Sequence, residues 1–108
     1  MSHNANDEAR TILQTILREH PKDADATYDL ALLADRVNDY NGAREGYLRA
    51  LDLDPHKSDA RYNLALLTLR QGVLAESQHH AQRFVESYPD DPRGEQLLKI
   101  TGANRNSQ

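Results

Sequence analysis

Apolar positions recur three and four residues apart along most of the chain, the spacing of one face of an α-helix. The ladder is cleanest near the start, at Ala9, Ile12, Leu13, Ile16 and Leu17. It predicts a first helix opening near Asn4 or Asn6, either of which can cap it, with Asp7 and Glu8 favourable to the helix dipole. That helix must stop at about His20, because Pro21 disfavours helical backbone in the residue before it. A second helix runs from a cap at Asp23 to about Val37, with Leu30, Ala31, Leu33, Ala34 and Val37 as its apolar stripe. Asn38-Asp39 breaks it. Asn41 is the expected cap of a third helix, which carries Ala43, Tyr47, Ala50, Leu51 and Leu53 and ends at Pro55.

Ser58 or Asp59 opens a fourth helix, with Leu64, Ala65, Leu67 and Leu69, and Gly72 closes it. A fifth runs from about Leu74 to Ser87 with a weak cap, since Ala75 sits where Asn41 sat. Asp91-Pro92 opens a sixth, whose apolar face is Leu97, Leu98 and Ile100 and which ends at Gly102. Residues 1–4 are read as frayed and 103–108 as a disordered tail. No segment alternates with period two over a strand's length. The connections are a few residues long, so neighbouring helices must run antiparallel. The expected class is all-α, with about six helices.

The pattern repeats. Pro21, Pro55 and Pro89 are evenly spaced, 34 residues apart. Between them Asp25, Ala26, Tyr28, Leu30, Ala31, Leu32, Leu33, Arg36 and Arg49 recur as Asp59, Ala60, Tyr62, Leu64, Ala65, Leu66, Leu67, Arg70 and Arg83. A fixed period of this length marks a solenoid of helical hairpins.

These residues resemble the tetratricopeptide repeat. Leu30-Ala31 stands in that family's leucine-glycine place, Ala43 and Tyr47 in its alanine-aromatic place, and Ala50 and Pro55 follow. In the next unit Leu64-Ala65 and Pro89 match, and Arg70-Gln71-Gly72 resembles the usual turn. Ala9, Leu13 and Pro21 match the second half of a repeat. The resemblance implies a short right-handed solenoid of stacked antiparallel hairpins in a single domain. Its parts are a half repeat over 5–20, full repeats over 24–55 and 58–89, and a capping helix over 92–101. Small residues at Ala31 and Ala65 let hairpin helices approach, and Ala43 and Ala50 let the next hairpin stack, with Tyr47 filling the gaps. Departures are Thr27 and Arg61 for the first aromatic, Ala34 and Thr68 for the tyrosine, and Ser77 for the key alanine. Tyr47 and Ala50 become Ala81 and Phe84, an exchange of large and small within one helix face.

Composition narrows the functional classes. The 108 residues carry 17 acidic and 13 basic side chains, a net charge of −4 that argues against nucleic acid and an anionic membrane surface. There is no cysteine, hence no disulfide or thiolate metal site. No apolar run approaches the roughly 20 residues needed to span a bilayer. The opening MSHNANDEAR has no apolar core of a signal peptide, so a cytoplasmic protein, or a soluble piece of something larger, is the default. Five histidines raise the question of a metal. His79 and His80 point about 100° apart on a helix, and the Glu76/His80 pair lacks a third ligand, so both histidines are read as solvated surface residues. No nucleophile has a histidine and an acid at recognisable spacing, and no phosphate-binding loop exists. No cofactor, no metal and no catalysis are expected. Capping and solvation account for Asp52, Asp54, Asp90 and Asp91.

By the same resemblance, the first helix of each hairpin lines a concave groove. Asp25, Tyr28, Leu32, Asp35 and Arg36 face it in one unit, and Asp59, Tyr62, Leu66, Leu69 and Arg70 in the next. The competing reading places Leu32 and Leu66 in the core; the groove is preferred because other residues already fill the core stripe. Asn63 matches one asparagine of the clamp with which some relatives hold chaperone C-termini. Tyr28 and Leu32 stand where its lysine and next asparagine belong, so that ligand is not implied. The expected function is an adaptor or scaffold binding an unknown protein or peptide. The rival is an assembly module, self-associating or joining a longer solenoid through the first helix, where Ile12 adds apolar surface and gives a route to a weak homo-oligomer.

Overall fold

The computed structural model describes residues 3–104, with side chains from residue 5. Six α-helices make up its regular structure: α1 His3–Glu19, α2 Ala24–Arg36, α3 Tyr40–Leu53, α4 Ser58–Arg70, α5 Leu74–Ser87 and α6 Arg93–Thr101. There is no strand among the described residues, so the all-α class stands. The helices fall into two compact units, residues 1–56 and 57–108. In the first, α2 packs against both α1 and α3; in the second, α4, α5 and α6 pack on one another. Of the start expected to be frayed, His3 and Asn4 are helical instead, while Met1 and Ser2, like the part of the expected disordered tail from 105, lie outside the described residues. Of the remaining tail, Ala103 packs against the core of the second unit.

In the first unit the hairpin α2–α3 closes through small residues. A Cβ on Gly46 would lie 2.7 Å from the Cβ of Ala31, so glycine faces alanine where the helices are tightest. Tyr47, Ala43 and Ala50 are fully buried beside Ala31 and Leu33. The Tyr47 hydroxyl donates to Asp35 Oδ2 at 2.8 Å, which satisfies its one polar atom. Asp23 caps α2 as expected, accepting from the Ala26 N–H at 2.9 Å. Asn38 takes φ 63°, and Gly72, 34 residues later, takes φ 80°, so the left-handed turn recurs with the repeat.

In the second unit the core joins Ala65, Ala81, Phe84, Val85, Leu97 and Leu98. Ala81 and Phe84 are as fully buried as Tyr47 and Ala50, so the exchange of large and small keeps the stripe filled. Two of this unit's departures are polar and buried, and both are satisfied. Ser77 donates to the Ala65 carbonyl at 3.0 Å, and Thr68 to the Leu64 carbonyl at 2.9 Å.

Several local expectations are corrected. Helix α1 begins at His3, so Asn4 and Asn6 lie within it rather than capping it. Asp39, not Asn41, caps α3, accepting from Gly42 N–H at 3.0 Å, because the chain re-enters helix immediately after the left-handed Asn38. Helix α4 does open at Ser58, with Lys57 before it making no side-chain cap bond. Asp91 accepts from the backbone N–H of Arg93 at 3.0 Å, with Pro92 just before the helix rather than inside it. Val37 is 50% exposed, since the last residue leaves helical dihedrals and turns off the stripe. Ile100 is 44% exposed, because the buried stripe of α6 runs Gly94, Leu97, Leu98, Thr101 and passes it by.

Candidate functional site

The faces expected to bind lie on α2 and α4, and the structure treats them differently. On α2, Asp25 is exposed in the first turn and Tyr28 is half-buried, its ring tilted against Tyr47 with centroids 5.9 Å apart. Leu32 is half-buried and lines a cleft of about 330 Å³ between α1 and α2. Ala9, Ile12, Leu13 and Leu33 supply its apolar wall, and Asp29 and Arg36 its charged edges. Ile12, at 60% exposure, stands over this cleft and over a second, shallower one beside Asp7, Glu8 and Thr11. Arg36 is exposed in the last turn of α2. Asp35 is turned inward, where it receives the Tyr47 hydroxyl.

On α4 the equivalent residues are partly covered by the unit's own last helix. Arg93, the first residue of α6, donates through Nη1 to Asp59 Oδ1 at 2.8 Å. Its guanidinium carbon lies 4.9 Å from the centre of the Tyr62 ring and 5.4 Å from that of Phe84. The fork is completed on Asp91, at 2.8 Å from Nη2 and 3.1 Å from Nε, and on the Ser58 hydroxyl at 3.2 Å. The Asp91 hydrogen bond raises the pKa of Arg93 above its ordinary value, and the Arg93 hydrogen bonds hold Asp91 below its own. Leu66 packs against the unit's core and Leu69 is half-buried, while Arg70 is exposed. Leu66 thus belongs in part to the core, the alternative weighed for it above. The clue to Arg93 was available in the repeat: it stands 34 residues after Asp59 with the opposite charge.

A second polar cluster joins α4 and α5. His80 is 4% exposed, not a solvated surface residue. Arg61 Nη1 lies 3.2 Å from His80 Nδ1, and Glu76 Oε2 lies 3.1 Å from Nε2. Arginine can only donate, so Nδ1 must accept and Nε2 carries the proton that goes to Glu76. Burial pushes the His80 pKa down; the Glu76 hydrogen bond opposes this and the nearby Arg61 and His79 reinforce it. Arg61 is pushed down as well, by burial and then by Arg83, with Tyr88 opposing, and its Nε is buried without a partner. Arg61 replaces the family's aromatic, and a guanidinium there needs an acceptor on the facing helix, which His80 supplies. Among the described residues no three His, Asp or Glu side chains gather as metal ligands. No described helix is long and apolar enough to cross a membrane.

Paired helices with a 34-residue period and small-residue contacts define a helical-repeat protein. The tetratricopeptide repeat family matches residues 1–55 and again 28–92, and the chain belongs to that family. Repeats of this family mediate protein–protein interaction and are typically non-catalytic. The chain is 35% identical over 89 residues to a probable biofilm formation methyltransferase, WspC, of Pseudomonas putida, covering 82% of this chain and 21% of that protein. It is 32% identical over 79 residues to a TPR repeat-containing protein of Pseudomonas aeruginosa, covering 72% and 13% respectively. The chain therefore spans only a fraction of the length of these relatives. An O-GlcNAc transferase structure from Thermobaculum terrenum superposes with a TM-score of 0.75 at 21% identity, over 93% of this chain and 20% of that one, a likeness of fold.

Proposed function

We propose that the protein is a non-catalytic adaptor that holds a peptide or partner helix on the first helices of its hairpins, with α2 as the principal face. The observation that carries this reading is the strip of Tyr28, Leu32 and Arg36 beside an open apolar cleft. Tyr28 offers apolar area with a polar tip, Leu32 a pocket wall, and Arg36 a forked donor for a carboxylate or backbone carbonyls. On α4, Leu69 and Arg70 repeat the same residue types, whereas Asp59 and Tyr62 are engaged by Arg93. Affinity for a flexible peptide should be weak, roughly micromolar, after its ordering cost. A photo-crosslinking residue at Leu32 should trap a partner that the same residue at His79 does not. The trapped partner should then bind Arg36→Ala/Arg70→Ala more weakly than His79→Ala, with equal melting temperatures. Equal binding by both variants would refute the site.

A second reading is favoured by one observation, the exposure of Ile12 at the junction of two clefts. Self-association through α1 would cover it. Sedimentation should then show a concentration-dependent dimer that Ile12→Asp abolishes; a monomer at all concentrations removes this reading.

A further inference from the structure

We propose that the cleft between α1 and α2 holds a basic amphipathic helix of a partner protein, docked antiparallel to α1 as α4 docks on α5. The inference deepens the reading of the Leu32 cleft as a partner site and rests on it. The second unit supplies the template. Helices α1 and α2 precede α5 and α6 by two repeats, as Pro21 precedes Pro89, so Ala9 and Ile12 are the counterparts of Ser77 and His80. Through Ser77 and His80, α5 bonds α4, to the Ala65 carbonyl at 3.0 Å and to Arg61 at 3.2 Å. Under that cover His80 is 4% exposed, whereas Ile12 is 60% exposed. Ala9 and Ile12 both line the cleft of about 330 Å³. The face that α4 covers on α5 is thus open on α1.

The lining defines what covers it. Where α5 offers Ser77 and His80 to a polar helix, α1 offers Ala9 and Ile12, with Leu13, Leu32 and Leu33 around them. An apolar stripe spaced i, i+4, i+7 fits that wall. The rim is acidic. Glu8 and Glu19, four residues before Ile12 and seven after it, share its face of the helix and are exposed. Asp29 lines the cleft from α2, and Asp7, 3.7 Å from Arg10, lies beside Ile12 in the adjoining hollow. Lysines or arginines flanking the stripe match these carboxylates while their stems cover Ile12. Arg36 ends α2, which runs back along α1, so it stands where an antiparallel helix on α1 would finish and its last carbonyls carry partial negative charge. A second copy docking through α1 would set the acidic face against itself, so the occupant is a helix of another protein. From Glu8 to Glu19 α1 rises about 16 Å, so about three turns of partner helix span the face. A helix that short is marginal alone and folds as it docks.

The test is a titration of the ¹⁵N-labelled full chain with three capped peptides of about four helical turns, read by amide shifts. The first carries leucines at i, i+4, i+7 and i+11, alanines between them and lysines on both flanks. The second has glutamate for every lysine. The third keeps the composition of the first but scatters the leucines around the helix. The lysine peptide should shift the amides of Ala9, Ile12, Leu13, Leu32 and Leu33 and leave α4 and α5 unmoved. The scattered peptide should bind about ten-fold more weakly, and Ile12→Lys should weaken the lysine peptide by a similar factor. Glu8→Lys should weaken the lysine peptide about two- to five-fold and strengthen the glutamate peptide. Both substitutions replace exposed side chains, so melting temperatures should hold. Equal binding of the lysine and scattered peptides, or undiminished binding to Ile12→Lys, overturns the docked helix. If the lysine and glutamate peptides shift the cleft alike, the basic partner is overturned but the binding face survives. A chain that sediments as a dimer through Ile12 makes a second copy the occupant and overturns the proposal. If no peptide shifts any α1 or α2 resonance, the proposal is overturned, and the Leu32 crosslinking experiment decides the face independently.

Discussion

Acid should loosen the second unit through His80. In the folded chain its Nδ1 accepts from Arg61 and its Nε2–H donates to Glu76, with only 4% of the residue exposed. A proton can enter only at Nδ1, where it would face the guanidinium 3.2 Å away and deprive Arg61 of an acceptor, with Arg61 Nε already unpaired. Burial pushes the pKa below the ordinary 6.5 for the same reason that it penalises any buried cation. The unfolded chain has no such restraint, so unfolding takes up a proton as pH falls. Stability from neutral His80 is therefore fully present above pH 6.5 and is lost as pH falls toward the folded-state pKa. With the ordinary pKa of 6.5 in the unfolded chain, the loss at pH 5.5 is bounded by RT ln 11, about 1.4 kcal/mol. That is a measurable part of a total of order 5–15 kcal/mol. Urea midpoints at pH 7.5 and 5.5 should be compared for the parent chain and His80→Gln. Glutamine offers an oxygen to Arg61 and an amide to Glu76 without titrating, and the comparison subtracts the other histidines. The parent should lose more than the variant across this interval, by no more than about 1.4 kcal/mol. Equal losses would show that His80 is not held neutral by this cluster.

Tyr47→Ala should cost about 3–5 kcal/mol by urea titration, the range for large aromatic truncations; Tyr47→Phe, which only removes the bond to Asp35, should cost about 0.5–1.5 kcal/mol. A loss below about 1 kcal/mol in Tyr47→Ala would contradict its place in the core. Gly46→Ala brings a methyl within 2.7 Å of the Ala31 Cβ. Overpacking of about 1–3 kcal/mol should outweigh the helix-propensity gain of about 1 kcal/mol, so lower stability is expected, and a higher melting temperature would mean the hairpin has room. Truncation after Pro89 removes Leu97 and Leu98 from Phe84 and Val85 and should give an aggregating or earlier-melting chain; unchanged melting of a monomer would deny α6 its covering role.

The sequence by itself determined what is local and periodic. Apolar spacing, three phased prolines and the Asp23 cap depend on neighbours within a turn or two, so six helices and their approximate ends could be read directly. The recurring residues alone carry the resemblance to the repeat family. What the tertiary structure decided was which polar groups meet across helices. Asp35 had the address of a binding residue, yet its carboxylate serves the buried hydroxyl of Tyr47, twelve residues away. Within its own helix His80 has only Glu76 as a partner; Arg61, on the facing helix, makes it a buried link. The one-dimensional pattern of α6 shows only apolar cover, yet its Arg93 is the side chain that occupies Asp59 and Tyr62. Helical periodicity fixes which face a residue is on. Whether that face meets water or an oppositely charged or hydrogen-bonding group is set by a second helix, whose contribution is invisible in the one-dimensional pattern until the two are packed together.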